Sequence, residues 1–111
     1  MSNSARDALL ANELKVLQAM CSGTPQGTIW DKAMLALGGY EFRDLVHQLV
    51  FDALREINTD LPDVIRKHLP ARLTNKGFPS LDCEKFFLSH GLSAAQALAL
   101  VETLRAAAPD P

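Results

Sequence analysis

Residues 42–57 read FRDLVHQLVFDALREI, and this stretch decides the fold class of the 111-residue chain. Its apolar residues recur every three or four positions, which is the spacing that places side chains on one face of an α-helix. The face consists of Phe42, Leu45, Val46, Leu49, Val50, Ala53, Leu54 and Ile57, and Phe51 widens it. A stripe of that width predicts a central helix that contacts neighbours on two sides.

The same helical spacing continues on both sides of this stretch, between prolines and glycines that interrupt it. Glycine destabilises a helix interior and proline removes a backbone donor, so both residue types predict helix ends. Ser4 with Asp7, and Ser93 with Gln96, have the capping-box spacing that starts a helix. The predicted helices cover residues 4–22, 24–37 or 28–37, 42–57, 62–76 with a kink or a new start at Pro70, 80–90 and 94–107.

These patterns predict an all-α fold, a compact bundle of about six short helices with no sheet, because no stretch shows the alternation of a strand. We predict a single helical domain over residues 1–108, followed by a tail or the start of a linker over 109–111. The predicted buried core includes Leu17, Trp30, Phe42, Leu45, Leu49, Leu54 and Phe86.

Composition argues against several classes of protein. The formal net charge of −2 does not fit a strongly basic nucleic-acid-binding domain. No apolar run approaches the roughly 20 residues that a membrane span needs, and no basic start leads into an apolar signal segment. Two cysteines do not make a disulfide framework, so we expect a reducing, cytoplasmic setting without membrane association.

The histidines and cysteines do not predict a metal site or an active site. None of Cys21, His47, His68, Cys83 and His90 has the paired spacing of metal ligands. Cys83, followed by Glu84 and by His90 on the same helical face, comes nearest to a hydrolase constellation, but no third group orients it. No phosphate-binding loop is present. We therefore predict no catalytic residues, no cofactor and no metal, and a protein that is not an enzyme.

Two clusters predict surfaces of interaction. Four basic residues with no acid between them, Arg66, Lys67, Arg72 and Lys76, form either a solvated helix face or a patch for nucleic acid or an acidic partner. If residues 62–69 and 70–76 are two helices, they have the layout of a helix-turn-helix. Because the net charge is negative, we expect direct nucleic-acid binding to be weak or absent.

The second cluster is apolar and consists of Phe78, Phe86, Phe87 and Leu88. Three phenylalanines within ten residues exceed what one short helix easily hides in a small core. Part of this surface should pack under the last helix or contact another molecule. We expect a protein partner or a homodimer, with residues 78–104 in the contact, because a twofold dimer is the commonest closed assembly.

The spacing of several residues resembles the N-terminal domain of the DnaB-type replicative DNA helicases. The matching positions are Glu13, Val16, Leu17, Ala19 and Met20 in the first helix, and Phe42, His47, Val50, Phe51 and Ala53 around the third. Leu73, Gly77, Phe87 and Leu88 match more loosely. The resemblance is best over residues 13–54, and the related helicase-interaction domain at the C-terminus of primases has a similar layout. Leu69-Pro70 and Gly77-Phe78-Pro79 depart from the proline-poor hairpin of that family.

The resemblance implies a non-catalytic interaction module that self-associates and docks partner proteins in DNA replication. The residues themselves predict a structural His47 that caps or bridges the turn before its helix through a hydrogen bond to a backbone carbonyl, and in the resembling family this position is also structural. Two alternatives stay open: a small DNA-binding or regulatory protein that uses segment 66–76, and a small enzyme subunit or orphan bacterial helical domain with another role.

Overall fold

The computed structural model describes residues 2–79, 81–88 and 90–107. These residues form five α-helices and one 3₁₀ turn, joined by loops. Their bounds are α1 Ser2–Ser22, α2 Trp30–Ala36, α3 Leu45–Ile57, α4 Pro62–Asn75, the 3₁₀ turn Glu84–Phe87 and α5 Ala94–Ala106. No strand occurs in these ranges, so the all-α prediction is confirmed. The described residues contain five helices instead of about six, because the described part of the segment predicted at 80–90 forms only the 3₁₀ turn. The predicted tail at 109–111 lies outside the described residues.

The centre of the bundle is α1, which contacts the other four helices and the 3₁₀ turn. Six consecutive residues from Val16 to Cys21 are buried, so this part of α1 is covered on every side. The sequence predicted the centre at residues 42–57. The helix there, α3, contacts neighbours on two sides as expected, namely α1 and α4. Over these six residues no polar face alternates with the apolar one, which is why α1 did not stand out as the centre.

The helix α3 begins three residues later than predicted, and its buried face differs from the predicted one. Asp44 caps it, with Oδ1 accepting the backbone N–H groups of Val46 at 2.7 Å and His47 at 3.4 Å. The buried residues of the helix are His47, Val50, Phe51, Ala53 and Leu54. Leu45, predicted to be buried, is 65% exposed. At 3.6 residues per turn it lies about 200° around the helix from His47, on the solvent side.

The helix α4 is continuous through Pro70, whereas the sequence predicted a kink or a new start there. The missing N–H of proline removes one helical hydrogen bond, but Ile65, Leu69 and Leu73 form a buried row on both sides of it. Because this row packs on the core both before and after Pro70, the helix axis continues through the proline. Segments 62–69 and 70–76 are therefore one helix, and the helix-turn-helix interpretation is wrong.

Most of the predicted core is confirmed. Leu17, Trp30, Phe42, Leu54 and Phe86 are buried, and Leu49 is half-buried against the same cluster. Leu45 is the residue that the prediction misplaced. Among the described residues, no helix combines the length and apolar character that crossing a membrane requires.

The last helix begins at the capping box that the sequence predicted. The hydroxyl of Ser93 accepts the N–H of Gln96 at 3.1 Å, and Gln96 Oε1 accepts the N–H of Ser93 at 3.0 Å. We expect Ser93→Ala to lower the free energy of unfolding by about 0.5–2 kcal/mol, because it removes one side of this exchange. Urea denaturation followed by circular dichroism measures it. Gln96→Glu, which retains the reciprocal acceptor, is the control and should lose less. An unchanged midpoint for Ser93→Ala would contradict the assignment of the cap.

Candidate functional site

A fully buried carboxylate joins three separate parts of the chain. Glu13 on α1 accepts a hydrogen bond from Nδ1 of His47 to its Oε1 at 2.9 Å. Its Oε2 accepts from the hydroxyl of Tyr40 at 2.6 Å and from the backbone N–H of Arg43 at 2.8 Å. The carboxylate thus ties α1 to α3 and to the segment that precedes α3. We call Glu13, Tyr40, His47 and the Arg43 N–H the Glu13 cluster.

Three donors keep this carboxylate ionised in spite of its burial. Burial alone would raise the pKa of Glu13, but the hydrogen bonds from His47, Tyr40 and the Arg43 N–H outweigh it and hold the pKa below its ordinary value. Burial and the hydrogen bond to Glu13 raise the pKa of Tyr40. An ionised carboxylate only accepts, so Nδ1 of His47 carries its proton. The cluster is a closed network, with a donor on each carboxylate oxygen, and its role is structural.

The sequence analysis predicted a structural role for His47 but predicted the wrong hydrogen-bond partner. It predicted a backbone carbonyl, and the partner is the Glu13 carboxylate. Glu13 entered the sequence argument only through the helicase resemblance. The missed signal was an acid between Leu10 and Leu17, on the face of α1 that points inward. A charged residue on an apolar helix face requires a partner, and a histidine on a second amphipathic helix is a natural one.

We expect the stabilisation from the Glu13 cluster to disappear in acid. Because the folded pKa of Glu13 lies below its ordinary value of 4.5, the unfolded chain binds this proton more tightly. The stabilisation is complete above the unfolded value and is lost as the pH falls through the folded one. The difference in unfolding free energy between the native chain and Glu13→Gln should therefore shrink as the pH falls. Urea titrations at a series of pH values measure it, and a constant difference would contradict the assignment.

The residues nearest to a hydrolase constellation are not brought together. Both ring nitrogens of His90 bind backbone groups: Nε2 donates to the carbonyl of Gly23 at 2.8 Å, and Nδ1 accepts the N–H of Leu92 at 3.0 Å. Burial and the neighbouring carboxylates of Asp82 and Glu84 raise the pKa of Cys83, which disfavours the reactive thiolate. Cys83, Glu84 and His90 therefore do not form the relay that a nucleophile needs.

Neither cysteine is paired, and the described residues bring no metal site together. Burial, and to a smaller extent the nearby Cys83, raise the pKa of Cys21. Both thiols are free and buried. Within the ranges 2–79, 81–88 and 90–107, no three histidine, cysteine or acidic side chains lie close enough to hold an ion. His68 points outward from α4.

Three of the four residues in the predicted basic patch bind acidic side chains. Arg66 donates to Oε1 of Glu84 at 2.6 Å, and its guanidinium lies over the ring of Phe87, 4.9 Å from the centroid. Arg72 and Lys76 share the carboxylate of Glu56. These pairs are partly or largely exposed, so each contributes little to stability. They nevertheless reduce the positive potential that a phosphate backbone would meet.

We expect this protein to bind DNA no more tightly than the micromolar range at physiological salt, because the patch is small and largely neutralised. Fluorescence anisotropy with duplex and single-stranded DNA tests this. Nanomolar binding that is lost on Arg66→Ala or Arg72→Ala, and kept on the control Arg6→Ala, would contradict it. Arg6 is an exposed arginine on α1 and does not belong to the patch.

The four residues of the predicted apolar surface range from fully buried to exposed. Phe86 is only 1% exposed and belongs to the core, so it drops out of the predicted surface. Phe78 and Phe87 are half-buried, and Leu88 is 58% exposed. Phe87 and Leu88 line a groove of about 630 Å³ at one end of the bundle, which we call the end groove. Its other lining residues are Ser22, Gly23, Thr24, Pro25, His90, Gly91, Leu92, Ser93 and Gln96.

A second groove, which the sequence did not predict, lies between α2 and α5. Its volume is about 530 Å³ and its lining residues are Lys32, Leu35, Ala36, Leu98, Val101, Glu102 and Arg105. We call it the α2–α5 groove. Leu35 is 88% exposed. The sequence contains no signal for this groove. Leu35 lies between Met34 and Leu37, which face the core, and its neighbour α5 is distant in the sequence.

Comparison with known proteins finds no matching family model, curated protein or solved structure. The resemblance to helicase N-terminal domains stays a prediction. Its ten best-matching positions are Glu13, Val16, Leu17, Ala19, Met20, Phe42, His47, Val50, Phe51 and Ala53, and all ten are buried. Glu13 and His47 contact each other directly. The pattern therefore describes the α1–α3 core and assigns no functional surface.

Proposed function

We propose that this chain is a non-catalytic, self-associating protein-interaction module of the cytoplasm, of the same kind as the N-terminal domains of DnaB-type replicative helicases. The observation that carries the proposal is the end groove, where Leu88 is 58% exposed beside a cavity whose described lining residues carry no formal charge. A partner that binds here can bury the exposed leucine and the groove beside it. It does so without the cost of removing water from a charged group.

Hydrogen bonds between its two walls support the idea that the end groove is preformed. His90 Nε2 donates to the carbonyl of Gly23, and Oε1 of Gln26 accepts the N–H of Ala94 at 2.9 Å. The loop after α1 is thereby fixed to the start of α5. A site whose walls are already in place loses less conformational entropy when a partner binds.

The chemistry of the groove favours an apolar partner segment. Its hydroxyl and backbone groups suit hydrogen bonds to a peptide, while Phe87, Leu88 and Leu92 suit an aliphatic or aromatic side chain. By the resemblance, that segment would belong to a replication protein such as the helicase motor or the primase. The guanidinium of Arg66 lies over the ring of Phe87, so a charged side chain stands beside the groove.

Binding to purified replication proteins tests the proposal. We expect the fluorescently labelled full chain to show a rise in anisotropy when a replicative helicase or a primase is added. Leu88→Ser should weaken that binding by about tenfold or more, because central apolar contacts dominate interface energies. Leu61→Ser is the matched control, since Leu61 is a leucine of 57% exposure outside the groove.

Two outcomes would count against the proposal. If neither protein binds, the replication role is wrong. If binding occurs but Leu61→Ser weakens it as much as Leu88→Ser does, the end groove is not the docking site.

A further inference from the structure

His90 joins two walls of the end groove through both of its ring nitrogens. Its Nε2 donates to the carbonyl of Gly23, in the loop after α1, at 2.8 Å, and its Nδ1 accepts the N–H of Leu92 at 3.0 Å. A ring nitrogen can accept a hydrogen bond only while it carries no proton. This arrangement therefore requires the neutral ring, with its single proton on Nε2.

The bond to Leu92 closes a short turn just before α5. Gly91, at the centre of the turn, has φ of 68°, a left-handed conformation that glycine adopts readily. The capping box of α5 begins at the next residue after the turn, Ser93. Because Leu92 and Ser93 both line the end groove, the turn fixes the position of one of its walls.

Protonation of His90 breaks one of these two hydrogen bonds and keeps the other. In the charged ring both nitrogens carry a proton, so Nε2 still donates to Gly23, whereas Nδ1 now faces another donor, the N–H of Leu92. That part-buried N–H then lacks its acceptor. The closed turn is therefore stabilised above the range in which histidine titrates, roughly pH 5–8, and this stabilisation is lost as the pH falls through it.

No carboxylate offsets this effect within the described residues. Segments 16–30 and 91–101, which supply most of the groove, contain no charged side chain, and burial raises the pKa of the Cys21 thiol. The remaining wall is the 3₁₀ turn with the residues that flank it. Its charged groups are engaged elsewhere: Asp82 accepts the N–H of Glu84, Glu84 pairs with Arg66, and Lys85 lies over the ring of Phe86.

We propose that His90 is a pH-sensitive switch of the end groove. The neutral ring holds the wall at Leu92 in place, and protonation releases that wall and weakens docking in the groove. The inference rests on the docking in the proposed function and adds its regulation by pH. The release of Leu92 is a property of the chain alone, so it can be measured without a partner.

Amide hydrogen exchange of the isotope-labelled full chain, followed by NMR across roughly pH 5–8, tests the switch. As the His90 ring protonates, we expect the protection factor of the Leu92 N–H to fall roughly two- to tenfold, the effect of one hydrogen bond. In His90→Asn this protection should stay constant, because the Oδ1 of asparagine accepts the N–H two residues on at any pH. His68→Asn, at an exposed histidine on α4, is the control and should respond as the native chain does.

Binding at two pH values tests the consequence for docking. Between about pH 8 and about pH 6, the affinity of the native chain for the replicative helicase or the primase should fall relative to that of His90→Asn. The expected fall is roughly two- to tenfold, as for the amide. Titration of the partner's own groups affects the native chain and the variant alike, so the ratio of their affinities isolates His90.

The outcomes separate this inference from the proposed function. Leu92 protection that stays constant while the His90 ring titrates would overturn the switch, whatever the binding experiment shows, and so would an equal loss of protection in His90→Asn. Protection that responds to pH while the affinity ratio does not would overturn the control of docking. If neither replication protein binds at any pH, the proposed function fails, and the amide measurement still decides whether His90 releases Leu92.

Discussion

Glu13→Ala should destabilise this protein by about 3–5 kcal/mol, a large part of the 5–15 kcal/mol that stabilises a typical domain. The variant leaves three buried or partly buried donors without an acceptor: Nδ1–H of His47, the hydroxyl of Tyr40 and the N–H of Arg43. It also leaves a cavity between α1 and α3. Urea denaturation at neutral pH, followed by circular dichroism, measures the loss.

An exposed carboxylate supplies the control for this prediction. Glu102 pairs with Arg105 on the surface of α5, and both side chains are well exposed. Glu102→Ala should therefore change the free energy of unfolding by less than about 1 kcal/mol. Equal losses for Glu13→Ala and Glu102→Ala would mean that the Glu13 cluster does not hold α1 against α3.

Phe51→Ala should cost about 3–5 kcal/mol, as truncation of a fully buried aromatic side chain usually does. Phe51 lies on the buried face of α3, and its ring centroid is 5.0 Å from that of Phe42. The ring also lies under the guanidinium of Arg55, at 5.2 Å. The variant loses these contacts together with the apolar area. Thermal or urea unfolding of the full chain measures the change.

Leu45→Ala distinguishes the observed face of α3 from the one that the sequence predicted. With Leu45 65% exposed, its truncation should cost less than about 1 kcal/mol. The predicted face would have placed Leu45 in the core, where the same change costs about 2–5 kcal/mol. A loss at Leu45 equal to that at Phe51 would restore the predicted face and contradict the start of α3 at Leu45.

The sequence predicted helices well wherever a local signal was sufficient. The capping box at Ser93 and Gln96 marked the start of α5, and Pro62 marked the first turn of α4. Gly23, with φ of 76°, follows the end of α1, as expected for the residue type that tolerates a left-handed conformation. Each of these signals acts through hydrogen bonds or backbone angles within a few residues, so a single chain reveals it.

The errors arose where tertiary contacts outweighed a local preference. Pro70 interrupts no helix, because Leu69 and Leu73 pack on the core to either side of it. Leu45 matched the spacing of an apolar face, but α3 packs on the core through the face that carries His47 and Phe51, which leaves Leu45 in solvent. The bond between Glu13 and His47 spans 34 positions and could be seen only after α1 and α3 were placed together.

The candidate surfaces were predictable only in part, for the same reason. Leu88 was identified because it lies in a local cluster of apolar residues. The neutralisation of Arg66, Arg72 and Lys76 depends on Glu56 and Glu84, which belong to other elements. Leu35 became notable only when α5 was found beside α2. A surface formed by two elements leaves no signature in either one alone.

Sedimentation equilibrium of the native chain tests the central claim, that this protein is a self-associating interaction module, most directly. The loading range is ~10–100 μM, in which a homodimer of modest affinity is expected to form. Over this range the weight-average mass should rise from that of one chain towards that of two. The rise should also be present in Leu61→Ser, because Leu61 lies outside both grooves. A mass equal to that of one chain at every concentration would contradict the claim.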